Sequence, residues 1–199
     1  MSPRSTFAEY RLPPGRHGIP PEEVAANQRW RLLGAVTEEI AENGRLGTTS
    51  TSVSRRAGVS PATFYKHFAN ISECLLTAYE MSANCLWDAT TAACREPDLP
   101  WDRRLREALD SGLRFLAAEP AIAATLGAEV PADEPEVALA RDRLIDRLAE
   151  LLAEGCDEDV APNLVAGALA LVNDRVRSAQ IESLPELAPE LEAIFELSF

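Results

Sequence analysis

Twelve consecutive residues, Ala57 to Phe68 (Ala-Gly-Val-Ser-Pro-Ala-Thr-Phe-Tyr-Lys-His-Phe), carry the most specific chemistry in this chain. Gly58 can adopt the positive φ that closes one short helix, and Ser60 can accept a hydrogen bond from the free amides that open the next. Pro61 follows at the first helical position, where a missing N–H costs nothing. On this second helix Phe64 and Phe68 lie four apart and share a side, whereas Ala62, Thr63, Lys66 and His67 fall elsewhere and Tyr65 stands at the edge. One face is therefore built to pack. The other presents groups of the kind that meet phosphates and base edges when a helix enters a major groove. Two helices joined by a glycine turn also occur where no DNA is read, so the flanks carry part of the weight. Upstream, Val53, Ser54 and Ala57 leave an inner face small enough for close approach. Downstream, Asn70 and Glu73 have capping-box spacing at the start of another helix.

These residues need a helical frame, and the apolar periodicity supplies one. Residues 1–20 form an arm rich in proline and glycine that carries Arg4, Arg11, Arg16 and His17. A helix is expected from Pro21, with Glu22 and Glu23 in its first turn, Leu33, Val36 and Ile40 inward, and Gly44 at its end. Beyond the glycine turn, helices are expected over about 71–94, 101–119, 121–126, 136–154, 160–178 and 185–197, with an acidic, proline-containing loop at 129–135. The helix over 136–154 should turn Leu139, Leu144, Leu148 and Leu151 inward and close at Gly155. No alternating strand pattern appears, so the fold class is all-α: a three-helix helix-turn-helix unit over 21–70, then a helical body over 71–199.

At this point the chain resembles the tetracycline-repressor (TetR) family. The likeness rests on Thr48-Thr49, Val53, Arg56-Ala57-Gly58-Val59-Ser60, Thr63-Phe64-Tyr65 and His67-Phe68, and continues through Cys74-Leu75-Leu76 and Ala78-Tyr79. Arg11-Leu12-Pro13-Pro14-Gly15-Arg16-His17-Gly18, with Asn27-Gln28-Arg29, is similar to a subgroup with an N-terminal arm. The resemblance implies a DNA-contacting set of Thr49, Thr51, Ser60, Pro61, Ala62, Thr63, Tyr65, Lys66 and His67; in the arm, either Arg11 or Arg16 enters a minor groove or the segment is a tail without contacts. Tyr65 is expected on a phosphate, Lys66 supplies charge, and Thr63 and His67 reach base edges or phosphates. Three sites depart from the family pattern, the first being Pro20, which stands where the subgroup usually has an N-capping serine. Ile71-Ser72 stands where a Lys-Glu pair usually opens the fourth helix, and Ser50 stands where an aliphatic residue is usual.

The net charge of −13 looks unsuited to nucleic acid until it is divided. Residues 1–70 hold nine Arg or Lys against six Glu, a balance of +3, while the remainder carries −16. A cationic end can thus face phosphates while an acidic body stays solvated. The chain contains no Gly-rich phosphate loop, no Gly-x-Ser-x-Gly elbow and no histidine beyond His67, so an enzyme is not expected, nor is a cofactor or a metal. No run reaches the length of a membrane helix and no apolar leader is present, so the expected location is cytoplasmic. Cys74, Cys85 and Cys94, expected on one helix, are read as packed, reduced thiols.

Two further surfaces follow. Met81, Cys85, Leu86 and Trp87, with Phe115 and Leu116, offer apolar, polarizable surface for an unidentified small apolar effector. Val165, Leu169, Val172 and Val176 form one stripe on the last two helices, and Leu187, Leu191, Ile194 and Leu197 form another. The family resemblance implies that these helices join two copies into a homodimer, as half-site recognition on double-stranded operator DNA requires. The expected function is a DNA-binding transcriptional regulator, a repressor released by its effector. The rival is a helical ligand-binding or protein-interaction module whose DNA-reading unit has decayed.

Overall fold

The computed structural model describes residues 20–93, 100–128, 134–152, 155 and 157–196. Nine α-helices and one 3-10 segment, with no strand, make up these residues. α1 (Pro21–Gly47), α2 (Ser50–Ala57) and α3 (Pro61–His67) form the N-terminal unit. α4 (Ile71–Ala93), α5 (Trp101–Ala118), α6 (Pro120–Gly127), α7 (Pro135–Glu150), α8 (Ala161–Arg177), the 3-10 segment Ile181–Leu187 and α9 (Ala188–Glu196) form the body. No helix among the described residues is long and apolar enough to cross a membrane. Arg11, Arg16, Cys94, Cys156, Leu197 and most of the 129–135 loop lie outside the described residues.

Local sequence sets the ends of the first four helices. Pro21 opens α1, and Gly44 breaks it at φ +68°, after which one further turn leads to Thr48. Thr49 and Ser52 form a reciprocal capping box on α2, and Gly58 ends that helix in the left-handed conformation at φ +65°. Ser60 caps α3 by accepting from the Thr63 amide at 3.1 Å. Asn70 accepts from the Glu73 amide at 2.8 Å as its spacing predicts, while the Glu73 carboxylate reaches one residue further back, to the Ala69 amide.

One apolar core runs from Leu32 and Val36 of α1, through Phe64 and Phe68 of α3 and Cys74, Leu75 and Ala78 of α4, to Ile122, Leu144, Leu184 and Leu191. The N-terminal unit is thus packed on the body, not tethered to it. Burial pushes the Cys74 thiol up to about 12 and raises Cys85 as well, so both stay protonated and inert.

Three expectations are corrected. α7 ends at Glu150, not Gly155; a Cβ on Gly155 would lie 2.9 Å from the Trp101 ring, so that glycine serves close approach and not a helix cap. Leu139 is 60% exposed, and Val137, Ala140 and Leu144 form the buried face of α7 instead. The final helix is split, because Pro185 sits inside a tighter 3-10 segment before α9 begins.

Candidate nucleic-acid interface and ligand cavity

α3 is held from below and open above. Phe64 and Phe68 are fully buried, with ring centroids 5.7 Å apart. Pro61, Ala62, Tyr65 and Lys66 are exposed on the opposite face, with Thr63 and His67 half-buried at its margins. Thr63 Oγ1 lies 2.9 Å from Ser60 Oγ, so its hydroxyl is engaged with the cap. Tyr65 stands edge-on to Phe64 at 5.3 Å and points its hydroxyl to Ser50 Oγ, 3.2 Å away. At the start of α2, Thr49 and Thr51 are exposed, and the Thr49 hydroxyl accepts from the Ser52 amide at 3.1 Å.

α1 clamps this unit with its own side chains, in contacts that the motif did not specify. Arg29 donates to the His67 carbonyl at 3.0 Å and lies over the Phe68 ring at 4.4 Å. Gln28 Oε1 lies 3.1 Å from His67 Nε2. Arg31 donates to the carbonyls of Ala57 and Gly58, where a helix C-terminus favours a cation. Arg56 turns back from α2 onto α1, donating to Glu39 at 2.6 Å and to Glu42 at 2.9 Å, with Glu38 at 3.4 Å. Burial works to raise the Glu39 carboxyl; hydrogen bonds from Arg56, Ser52 and Asn43 and the Arg56 charge outweigh it and hold it below its ordinary range. Burial, followed by the Arg29 and Lys66 charges, lowers the His67 imidazole, which favours its neutral form. Four of the cations counted in the +3 balance, Arg29, Arg31, Arg45 and Arg56, direct their guanidinium groups to partners within the protein. Arg55 and Lys66 are the exposed cations of the described α2–α3 surface.

In the body, a cavity of about 210 Å³ opens among α4, α5, α7, α8 and α9. Its wall is mostly aliphatic: Leu86, Leu105, Leu109, Leu113, Leu148, Ala168 and Leu169, with Trp101 and Phe195 at its aromatic ends. Gly112 keeps α5 close to α4, since a Cβ there would lie 2.9 Å from Thr90 Oγ1. Of the six residues expected to meet an effector, Leu86 and Leu116 line this cavity. Met81, Cys85 and Phe115 pack partly buried against the main core, and Trp87 lies under the Arg147 guanidinium at 4.6 Å. The cavity-facing line of α4 is Leu86 and Thr90, four apart, and Cys85 and Trp87 stand about 100° to either side of it.

The stripes expected between subunits are mostly turned inward. Val165, Val172, Leu187 and Leu191 are buried within the protomer, and Leu169 lines the cavity. The exposed residues of α8 are Ala166, Gly167 and Ala170 at its centre, with open space around Gly167, and Asn163, Asp174 and Arg177 toward its ends; Ile194 is exposed on α9.

Comparison with known proteins agrees with this geometry. Residues 32–78 match the family model of bacterial regulatory proteins, tetR family. No curated protein sequence matches the chain. Among solved structures, the fatty acid degradation regulator FadR from Bacillus halodurans superimposes with a TM-score of 0.73 at 20% identity, covering 84% of this chain and 94% of that one. FadR from Bacillus subtilis, solved in complex with stearoyl-CoA, gives 0.71 at 19% identity over 83% and 96%. A TetR-like transcriptional regulator from Rhodococcus sp. RHA1 gives 0.66 at 24% identity over 92% and 97%.

Proposed function

We propose that this chain is a TetR-family DNA-binding transcriptional regulator, a homodimeric repressor released from its operator by a small apolar effector; the tetR-family match at residues 32–78 and the fold around it support this reading. The observation that carries this reading is the rigid, outward face of α3, with Ala62, Tyr65 and Lys66 exposed above two buried phenylalanines. Tyr65 donates to a phosphate and Lys66 supplies charge, while Thr63 and His67 approach the DNA from the margins of the helix. Ser60, Pro61, Thr49 and Thr51 lie against the backbone at the helix starts, and Arg11 and Arg16 reach a minor groove. Residues 1–20 act as the arm, 21–70 as the reading unit and 71–199 as the regulatory and dimerising body.

The effector occupies the aliphatic cavity. At about 210 Å³ that space lies below the roughly 300–1,000 Å³ of drug-sized pockets, which supports a small apolar molecule over a long acyl chain. Binding shifts the population toward a spacing of the two recognition helices that no longer fits major grooves about 34 Å apart. The exposed Ala166, Gly167 and Ala170 of α8, with Ile194 of α9, form the subunit contact.

The test is selection of binding sites from random duplex DNA, followed by mobility-shift assay on the DNA flanking the coding region. A palindromic site bound with sequence preference is the expected result. Binding without preference, or none, would return the chain to the rival reading of a helical module that no longer reads DNA.

A further inference from the structure

Side chains from both halves of the molecule meet at one buried carboxylate. Arg45, in the turn of α1 beyond Gly44, donates from Nε to Glu134 Oε2 at 2.9 Å and from Nη2 to Oε1. Ser72 Oγ, in the first turn of α4, donates to the same Oε1 at 2.9 Å. Glu134 immediately precedes α7 and is 4% exposed. A two-pronged, charge-assisted pair with a third donor fixes geometry as well as distance.

The two helices that start at this cluster end at the cavity. The pairs Ser72–Glu134, Glu80–Arg143 and Asn84–Arg147 are separated by 62, 63 and 63 residues. A constant offset means that α4 and α7 run side by side in the same direction. Their N-terminal ends meet Arg45; further along, Leu86 and Thr90 of α4 and Leu148 and Glu150 of α7 line the cavity. At 1.5 Å per residue the cavity wall lies about 20 Å along α7 from Glu134.

We propose that Arg45, Glu134 and Ser72 form the joint through which the contents of the cavity set the position of α2 and α3. The proposal rests on the chain being a DNA-binding regulator. A molecule wedged between packed helices changes their spacing or tilt as rigid bodies, because a close-packed interior does not deform continuously. A change between α4 and α7 moves Ser72 against Glu134, and the two-pronged pair carries the movement to Arg45. The Arg45 carbonyl accepts from the Thr48 amide, and the next residue, Thr49, caps α2, so the reading unit follows.

The test replaces the unidentified effector with a side chain. Ala168→Leu fills part of the cavity from α8, and Ala108→Leu does so from α5 if the first variant fails to fold by circular dichroism. Each is measured in the full-length wild-type background and in an Arg45→Met/Glu134→Gln background, which conserves volume and leaves no unpaired buried charge. The probe is the duplex that the wild-type protein selects from a random pool. Filling should lower affinity about tenfold in the wild-type background and by less than about twofold once the joint is removed. Equal losses in both backgrounds, or no loss in either, overturn the joint while leaving the DNA-reading premise intact. A wild-type protein that selects no sequence overturns that premise and the joint with it.

Discussion

The Ser50 and Tyr65 hydroxyls lie 3.2 Å apart, so the first residue of α2 steadies the outward tyrosine of α3. An aliphatic residue at position 50 could not do this. The departure from the family pattern at Ser50 is therefore a polar contact across the turn, on the face proposed to read DNA. Tyr65→Phe removes the phosphate donor without touching the core, since the ring is more than half exposed. Operator affinity should fall by about 1.5–3 kcal/mol, the range for a hydrogen bond to a charged group, with the melting temperature unchanged. Ser50→Ala should weaken binding less, and should have no further effect in the Tyr65→Phe background. Fluorescence anisotropy on the four proteins measures this; a Tyr65→Phe protein that binds like wild type would show that α3 is not the reader.

Salt dependence separates outward from inward cations. Lys66 is exposed, whereas the Arg56 guanidinium is shared among three carboxylates of α1. Lys66→Ala should reduce the slope of log affinity against log salt by about one for each phosphate left without its lysine, hence about two per dimer. Arg56→Gln should leave the slope unchanged in the temperature range where it remains folded. Deleting residues 1–18 should flatten the slope further if Arg11 and Arg16 touch DNA. The opposite ranking of Lys66 and Arg56 would mean that the α1 network opens on the operator.

The turn, the α3 cap and the recognition helix were legible because each is decided within four residues: Gly58 alone, Ser60 with Thr63. The clamp was not legible, because Arg31 meets Gly58 and Arg29 meets His67 across 27 and 38 residues, and nothing in the local pattern names those partners. The same limit hid Glu134, which lies 89 residues from Arg45. Periodicity found the buried leucines of the 3-10 segment and α9 but not what buries them: Leu187 and Leu191 pack within the same chain. On α7, residue size misled. Val137 and Ala140 face inward while the larger Leu139 faces out, because the buried positions are set by packing geometry.

Protonation of His67 should lower stability in mild acid. Its imidazole is held below the ordinary value of 6.5 by burial first and then by the Arg29 and Lys66 charges. A depressed histidine binds fewer protons in the folded than in the unfolded state, so its contribution is fully present above pH 6.5 and is lost as pH falls toward the folded value. Glu39 and Glu42 are held below their ordinary 4.5, so the stability they contribute is lost chiefly at lower pH, as pH falls below that value. Thermal unfolding between pH 7.5 and 5 should show a decline that His67→Gln reduces, because the amide can still face Gln28 but takes up no proton. An identical pH profile in the variant would remove His67 as the cause.

The proposed subunit contact can be tested only on the outward face. Leu191 is 2% exposed inside the protomer, so Leu191→Glu would bury an unpaired charge and unfold the chain whether or not it dimerises. Gly167 has open space around it and sits between exposed Ala166 and half-buried Ala168 on α8. Gly167→Glu costs the isolated protomer little, and exchanging a mid-helix glycine even favours the helix by several tenths of a kcal/mol. Across a two-fold axis, however, the variant places two carboxylates where two small faces should meet, and both must be desolvated. Sedimentation should therefore report a folded monomer with an unchanged helical circular dichroism spectrum. Its affinity for a palindromic operator should collapse while a half-site is bound as weakly by the variant as by wild type. A Gly167→Glu protein that remains dimeric would place the contact elsewhere, and a wild-type monomer that holds the palindrome tightly would end the two-fold mechanism.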